Sequence, residues 1–291
     1  MMNAIIQFYQ TIFTPLVILF TISNLAMMGL QVNIPQVGRK MKNVKFVAMI
    51  LVWGWVVGPL LGWLIIKILP LDVPYANVVL LTSLAPCAPF LPPMITKARG
   101  DIDFGGAFIP LAAVGTVIFM PLLAPLLIKG IALSSLTLAK PLVITVLIPL
   151  IIGALIRTYA TRVADKIFKP VKLIANLSTL LTIVGCFVIY TPQMIDTAGS
   201  FALLSMTVFM LVLGLLAYRF GFGLKQNERS IMSMGMGTRN IAAVLAGVLA
   251  IPNGDPRMTA MVIMWTLWSF ILVLIFAPVF GKLSRKSGVP V

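Results

Sequence analysis

Histidine is absent from the 291 residues, and only seven residues are acidic. Those shortages remove most of the side chains that enzymes use as general acids, general bases and metal ligands. Cysteine is scarce too. Cys87 and Cys186 both fall inside apolar runs, in no CxxC or metal-ligand spacing, and read as small apolar packing residues. Charged residues make up 10% of the chain, where a soluble domain carries about 25%. That is too little polar surface to cover a soluble fold. No nucleotide-binding motif is present, so nothing supports ATP-driven pumping by this chain alone. The gaps between apolar runs are too short for a soluble domain, so any chemistry would have to proceed inside a membrane. The chain is expected not to be an enzyme, and to hold no cofactor or metal.

Long apolar sequence is what the chain has in quantity, at 60% of all residues. A helix crosses the hydrocarbon core of a bilayer with roughly 20 apolar residues. Nine runs qualify, at about 9–30, 44–68, 76–97, 103–128, 141–160, 172–192, 200–222, 228–251 and 257–281. The expected fold is an all-α polytopic membrane protein with nine transmembrane helices, residues 1–291 forming one transmembrane domain. The first run has no basic residue before it and no small-residue cleavage site, so it does not read as a signal peptide.

The formal net charge is +15. A nucleic-acid-binding protein would cluster its basic residues on one soluble face. Here they occupy short gaps between apolar runs, so the bilayer is the expected partner and nucleic acid is not. One set of gaps holds Arg39, Lys40, Lys42, Lys45, Lys97, Arg99, Arg157, Arg162, Lys166, Lys169, Lys172, Arg219, Lys225, Arg229, Lys282, Arg285 and Lys286. The other set holds only Lys67, Lys129, Lys140 and Arg257. The positive-inside rule then puts the N-terminus outside and the C-terminus in the cytoplasm, in a bacterial-type inner (plasma) membrane.

Two runs are interrupted. The third reads LTSLAPCAPFLPPMITKA, with Pro86, Pro89, Pro92 and Pro93. Each proline inside a helix removes a hydrogen bond and costs about 3 kcal/mol, so one straight helix is not expected. The eighth reads ERSIMSMGMGTRNIAAVLAGVLAI, with Met234-Gly235-Met236-Gly237-Thr238-Arg239-Asn240 at its centre. Its glycines permit either unwinding or tight helix packing. Arg239 lies about 16 Å from the Glu228 end at 1.5 Å per residue, close to the middle of a core about 30 Å thick. A charge there costs at least roughly 2.5–3.5 kcal/mol. All seven acids (Asp72, Asp101, Asp103, Asp165, Asp196, Glu228 and Asp255) lie in connections or at helix ends. Arg239 must therefore answer backbone carbonyls freed at the breaks, or an anionic ligand held bidentately. Both readings stay open. The third and eighth runs are five apart, so they cross in opposite directions, as inverted repeats with paired broken helices would.

Other polar residues in the runs divide the same way. Ser23 and Asn24 face a substrate path or tie helices together. For Thr116, Asn176, Ser178, Thr179 and Thr182, packing is the expectation. Met27, Met28 and the methionines of the eighth run read as adaptable filler. Trp53, Trp55, Trp63, Trp265 and Trp268 lie too deep for an interface belt, and read as packing or lipid-facing bulk.

The order of runs, the segment Ala98-Arg99-Gly100-Asp101, Gly237-Thr238-Arg239-Asn240, and a basic cluster leading into VKFVAMILVWGWVVGPLLGWL together resemble the bile acid:sodium symporter family. The resemblance spans nearly the whole chain. Arsenite-efflux and auxin-carrier-like families share the architecture. It implies a panel domain (about 9–30 and 141–192) beside a core domain (about 44–128 and 200–281). Two broken helices cross in the core, and organic anions move by elevator-like alternating access. The family often has ten spans in two inverted repeats of five; this chain looks like a member lacking the first helix, four plus five. Sodium-coupled members hold two sodium ions beside the crossing. Aligned by motif, an acid of those sites falls on Gly235, followed by Met236, and a glutamine falls on Arg239, while Asn240 is retained. A serine-asparagine pair falls on Leu91 and Pro92, and two hydroxyl residues fall near Gly105 and Ile109. Those sodium-site equivalents are expected not to function.

The resulting expectation is a secondary transporter of a small organic anion that does not use the two sodium sites. The expected substrate site is Arg239, Asn240, Thr238, Gly237, Pro92, Pro93 and Asn24. The alternatives are a sodium-coupled symporter of bile acid type, an efflux carrier for an oxyanion or weak acid, and, from another class, a channel or membrane scaffold. A channel wants a continuous polar lining, and no run carries a polar stripe from end to end. Substrate, direction of transport and oligomeric state, including a homo-oligomer, stay open.

Overall fold

The computed structural model describes residues 2–128 and 134–287, with side chains from residue 6 onward. Lys129, expected on the sparsely charged side, lies outside the described residues. The described residues contain α-helices, two π turns and one isolated two-residue bridge. In chain order the helices are α1 (Met2–Gly29), α2 (Ile34–Met41), α3 (Val44–Val52), α4 (Gly58–Ile68), α5 (Val73–Ser83), α6 (Leu91–Lys97) and α7 (Ile102–Leu127). There follow α8 (Ser135–Leu142), α9 (Ile148–Tyr159), α10 (Thr161–Gly199), α11 (Ala202–Arg219), α12 (Gln226–Gly237), α13 (Ile241–Leu249) and α14 (Pro256–Lys286). α3 and α4 form one rod through a π turn at Trp53–Val57, and α8 and α9 another through Val143–Leu147. In each case the turn is followed by a proline, Pro59 or Pro149, that has no N–H for the i−4 carbonyl. The wider turn absorbs that missing bond.

Seven helical segments are long and apolar enough to cross a membrane. They are α1, the α3–α4 rod, α7, the α8–α9 rod, α10, α11 and α14. The third and eighth apolar runs are instead each split into two short helices, α5/α6 and α12/α13. Two features depart from the sequence reading. The eight-residue helix α2 occupies the first basic connection, started by Asn33, whose side chain accepts from Gln36 N at 3.2 Å. And α10 is 39 residues long, well beyond the expected run 172–192. Its first turns carry Arg162, Lys166 and Lys169, so counting apolar residues alone could not find them. It bends at Tyr190 (φ −113°, ψ 15°), two residues before Pro192.

The connections that carry basic residues gather at one end of the bundle. Lys40 lies 3.9 Å from Glu228. Gln36 bonds Asp103, Ile34 N donates to Thr158, Arg157 reaches the Leu30 carbonyl, and Ser284 the Ala98 carbonyl. At the opposite end Arg257 joins Asp72 at 3.0 Å and Asp255 at 2.8 Å. That end is the start of both α5 and α14.

Small residues set the closest helix approaches. A Cβ on Gly29 would lie 2.4 Å from the Leu150 carbonyl oxygen, and one on Gly153 2.7 Å from that of Ala26. Only glycine therefore lets α1 meet α9 this closely. Ser23 and Ser178 share a 3.1 Å hydrogen bond, and Asn24 Nδ2 donates to Thr179 Oγ1 at 3.1 Å. These bonds tie α1 to α10. On the α3–α4 rod, Gly54, Gly58 and Gly62 follow one another at four-residue spacing and face Pro86, the Ser83 carbonyl and the Ser83 side chain. The rod thereby lies directly against the end of α5.

Candidate functional site: the crossing of two broken helices

α5 starts beside Arg257 at one end of the bundle; α12 starts beside Lys40 at the other. They run in opposite directions and stop at the same place. Their continuations are held together by backbone. Pro86 and Arg239 form an antiparallel bridge, and Asn240 N donates to the Ala85 carbonyl at 2.8 Å. Cys87 N is shared between the carbonyls of Gly235 at 2.9 Å and Thr238 at 3.0 Å, with Cys87 at φ +73°, in the left-handed region. Thr238 Oγ1 accepts from Ala88 N at 3.1 Å and donates to the Met234 carbonyl at 2.8 Å. Asn240 caps α13, its side chain accepting from Ala243 N at 3.2 Å. Breaking two helices frees buried N–H and C=O groups that must find partners, and this small knot of extended chain supplies many of them.

The last carbonyls of α5 and α12 remain. A helix C-terminus carries a partial negative charge on those groups, and two such ends meet here. Trp55 Nε1 donates to the Leu84 carbonyl at 2.9 Å. Arg239 answers the others. Its Nη1 donates to the Ser83 carbonyl at 3.4 Å and its Nη2 to the Met236 carbonyl. The guanidinium carbon stands 4.7 Å from the Phe209 ring centroid. The side chain has 0% exposure, and its Nε has no hydrogen-bond partner. Among the described residues the ion pairs join Lys40, Arg157 and Arg257 to Glu228, Asp165, Asp72 and Asp255, and none reaches Arg239. Arg239 is thus a cation enclosed by carbonyls and an aromatic face. Two charge-assisted bonds at about 1.5–3 kcal/mol each and a desolvated cation–π contact of about 2 kcal/mol offset the cost of burying it.

The structure brings Gly237, Thr238, Arg239 and Asn240 together at this knot. Pro92 and Pro93 sit in the first turn of α6, half-buried and exposed respectively. That is a position proline tolerates, so these two begin a helix; the break itself contains Pro86 and Pro89. The Asn24 amide is engaged by the Phe20 carbonyl and Thr179 on the α1–α10 contact. Of the positions expected to correspond to sodium ligands, Gly235, Met236, Leu91, Gly105 and Ile109 have no side-chain oxygen and are buried. A Cβ on Gly235 would come 2.0 Å from the Phe108 ring, and one on Gly105 2.3 Å from Ile95 Cδ1. Apolar side chains therefore fill the space beside both glycines.

Sequence reasoning missed the Ser83 and Met236 carbonyls, Phe209, Phe108 and the double bond from Cys87 N. It read Trp55 as bulk. A buried tryptophan N–H usually finds an acceptor, and the helix break next to Trp55 supplies one. Nothing in the sequence marks Phe209 among its apolar neighbours.

A model of the sodium bile acid symporter family matches residues 8–197. The chain belongs to that family. Two plant relatives carry the name probable sodium/metabolite cotransporter BASS3, chloroplastic. The one from Arabidopsis thaliana is 24% identical over 225 residues, 76% of this chain and 52% of its own length. The one from Oryza sativa subsp. japonica is 25% identical over 199 residues, 67% of this chain and 47% of its own. The chain spans about half the length of these relatives. The family match stops before α12, so the knot around Arg239 rests on the geometry described above.

Proposed function

We propose that the chain is a secondary transporter of a small organic anion, working by alternating access without the two-sodium coupling of its family. The observation that carries this reading is Arg239, fully buried where the C-terminal ends of α5 and α12 meet and bonded only to carbonyls. Such a place attracts a cation, and here the chain supplies one of its own. A sodium ion about 4 Å from the guanidinium would meet a repulsion of about 4 kcal/mol at an effective dielectric constant of about 20. That is enough to empty a site of ordinary affinity. The apolar filling around Gly235 and Gly105 points the same way.

In this reading Arg239 is the resident counter-charge for the substrate. A guanidinium has five N–H donors and cannot lose its proton. An anion reaching the knot would take the donors that carbonyls leave free, and Thr238 and Asn240 would frame it. The chain would cross the membrane nine times in a four-plus-five inverted arrangement, its basic end in the cytoplasm. α1, α9 and α10, joined through the Gly29–Gly153 approach and the Ser23–Ser178 and Asn24–Thr179 bonds, would serve as the panel against which the crossing helices move.

A thermal-shift screen of metabolite anions on purified protein tests this, repeated with Arg239→Met. Anions that stabilise the wild type and lose their effect in the variant are expected. Hits are then carried into proteoliposomes with and without a sodium gradient. Uptake driven by the gradient, or anion stabilisation indifferent to the substitution, would overturn the reading.

A further inference from the structure

A cleft of about 430 Å³ opens between α11, α12 and α14. Its wall is almost wholly apolar, and each polar side chain on it is already occupied. Ser233 donates to the Gly214 carbonyl at 2.8 Å, Thr238 to the Met234 carbonyl at 2.8 Å, and Tyr218 to Gln226 at 2.8 Å. The cleft offers no donor to the charged group of an anionic substrate. It is not closed: Leu215 and Val279 at its mouth are 66% and 47% exposed, on flanks whose apolar character suits lipid. It follows α11 from Met210 to Tyr218 and α14 from Leu272 to Phe280. Each stretch spans eight residue steps, about 12 Å at 1.5 Å per residue. That is close to the depth of one leaflet of a core about 30 Å thick. Its inner wall is Gly237 and Thr238, the break in the second crossing helix. Beyond its other end both helices turn basic in sequence: Arg219 follows Tyr218, and Lys282 and Arg285 follow Phe280, all three exposed.

We propose that a phospholipid with an anionic headgroup occupies this cleft, its acyl chain against Gly237 and Thr238 and its phosphate among Arg219, Lys282 and Arg285. An apolar slot one leaflet deep fits an acyl chain, and the exposed cations that follow it on α11 and α14 favour a net negative headgroup over a zwitterionic one. Because the chain would lie against the break, the bound lipid would also bear on the crossing.

The test uses the full chain in mild detergent with a phosphatidylglycerol analogue that carries a photoreactive diazirine on its acyl chain. Cross-linked peptides are mapped by mass spectrometry. Labelling concentrated on α11, α12 and α14 is expected. It should fall several-fold with the phosphatidylcholine analogue of the same chain, and likewise in the double variant Arg219→Gln, Lys282→Gln. Leu215→Trp, which fills the mouth, should remove the labelling while leaving the melting temperature near the wild-type value. If that variant does not fold, the headgroup comparison on the wild type decides. Labelling spread evenly over exposed faces such as that of α10, or equal with both headgroups, would overturn the proposal.

Discussion

Arg239 donates to the carbonyl of Ser83, 156 residues earlier in the chain, and so closes one broken helix with a side chain from the other. The same guanidinium also bonds the Met236 carbonyl of its own half-helix. One positive charge thereby serves two negative helix ends.

This arrangement separates two consequences of removing the charge. Arg239→Ala leaves a void and two unanswered carbonyls, and should lower unfolding stability on the order of 2–4 kcal/mol. Arg239→Met fills the void without a charge. It leaves the same two carbonyls unanswered but removes the cost of burying a charge, so that variant should lose less stability than Arg239→Ala. Both should lose anion transport. Denaturant titration in detergent gives the stabilities, and a Met variant no more stable than the Ala variant would contradict the argument.

Gly235 and Phe108 should be coupled. A Cβ on Gly235 needs the space of the Phe108 ring, so Gly235→Ala should cost about 1–3 kcal/mol by overpacking. In a Phe108→Leu background that cost should shrink. A double-mutant cycle measures it, and additive losses would show that the two do not compete.

Trp55→Phe removes the only side-chain donor to the Leu84 carbonyl among the described residues. The expected loss is about 1–3 kcal/mol, the cost of orphaning a buried acceptor. Trp63→Phe serves as control, because Trp63 is 44% exposed and should cost little.

At the opposite end of the bundle, hydrogen bonds from the Arg257 side chain and backbone hold the Asp255 carboxyl below its ordinary pKa. A carboxylate depressed in the folded state stabilises it above the unfolded value of about 3.9, and that contribution disappears as pH falls through the folded pKa. The melting temperature of the wild type should therefore exceed that of Asp255→Asn at neutral pH. The gap should close at acidic pH, below about 4. A gap independent of pH would contradict the ionised clamp.

How much of this the sequence disclosed depends on the range of the interaction. Runs of apolar residues and proline-rich interruptions are local, so the third and eighth runs could be read as interrupted, though not where each helix stops. The lack of an acid beside Arg239 followed from the positions of seven residues. Freed carbonyls were one of two answers open for the charge, but which carbonyls could not be read. Ser83 and Phe209 reach Arg239 only through the packing of separate helices, and a backbone carbonyl has no sequence signature. Pro92 and Pro93 were expected in the substrate site with the break. They open α6, and proline at the start of a helix looks the same in sequence as proline that ends one. Asn24 could have faced a path or a neighbour, and the structure gives it Thr179. The basic start of α10 went unseen because it is helical without being apolar.

The most direct measurement of the central claim needs no substrate. The melting temperature of the purified protein is followed as sodium replaces potassium at constant ionic strength. With Arg239 already holding the cation's place, the wild type should show no saturable stabilisation by sodium. A saturable rise in melting temperature with sodium in the wild type would contradict the account.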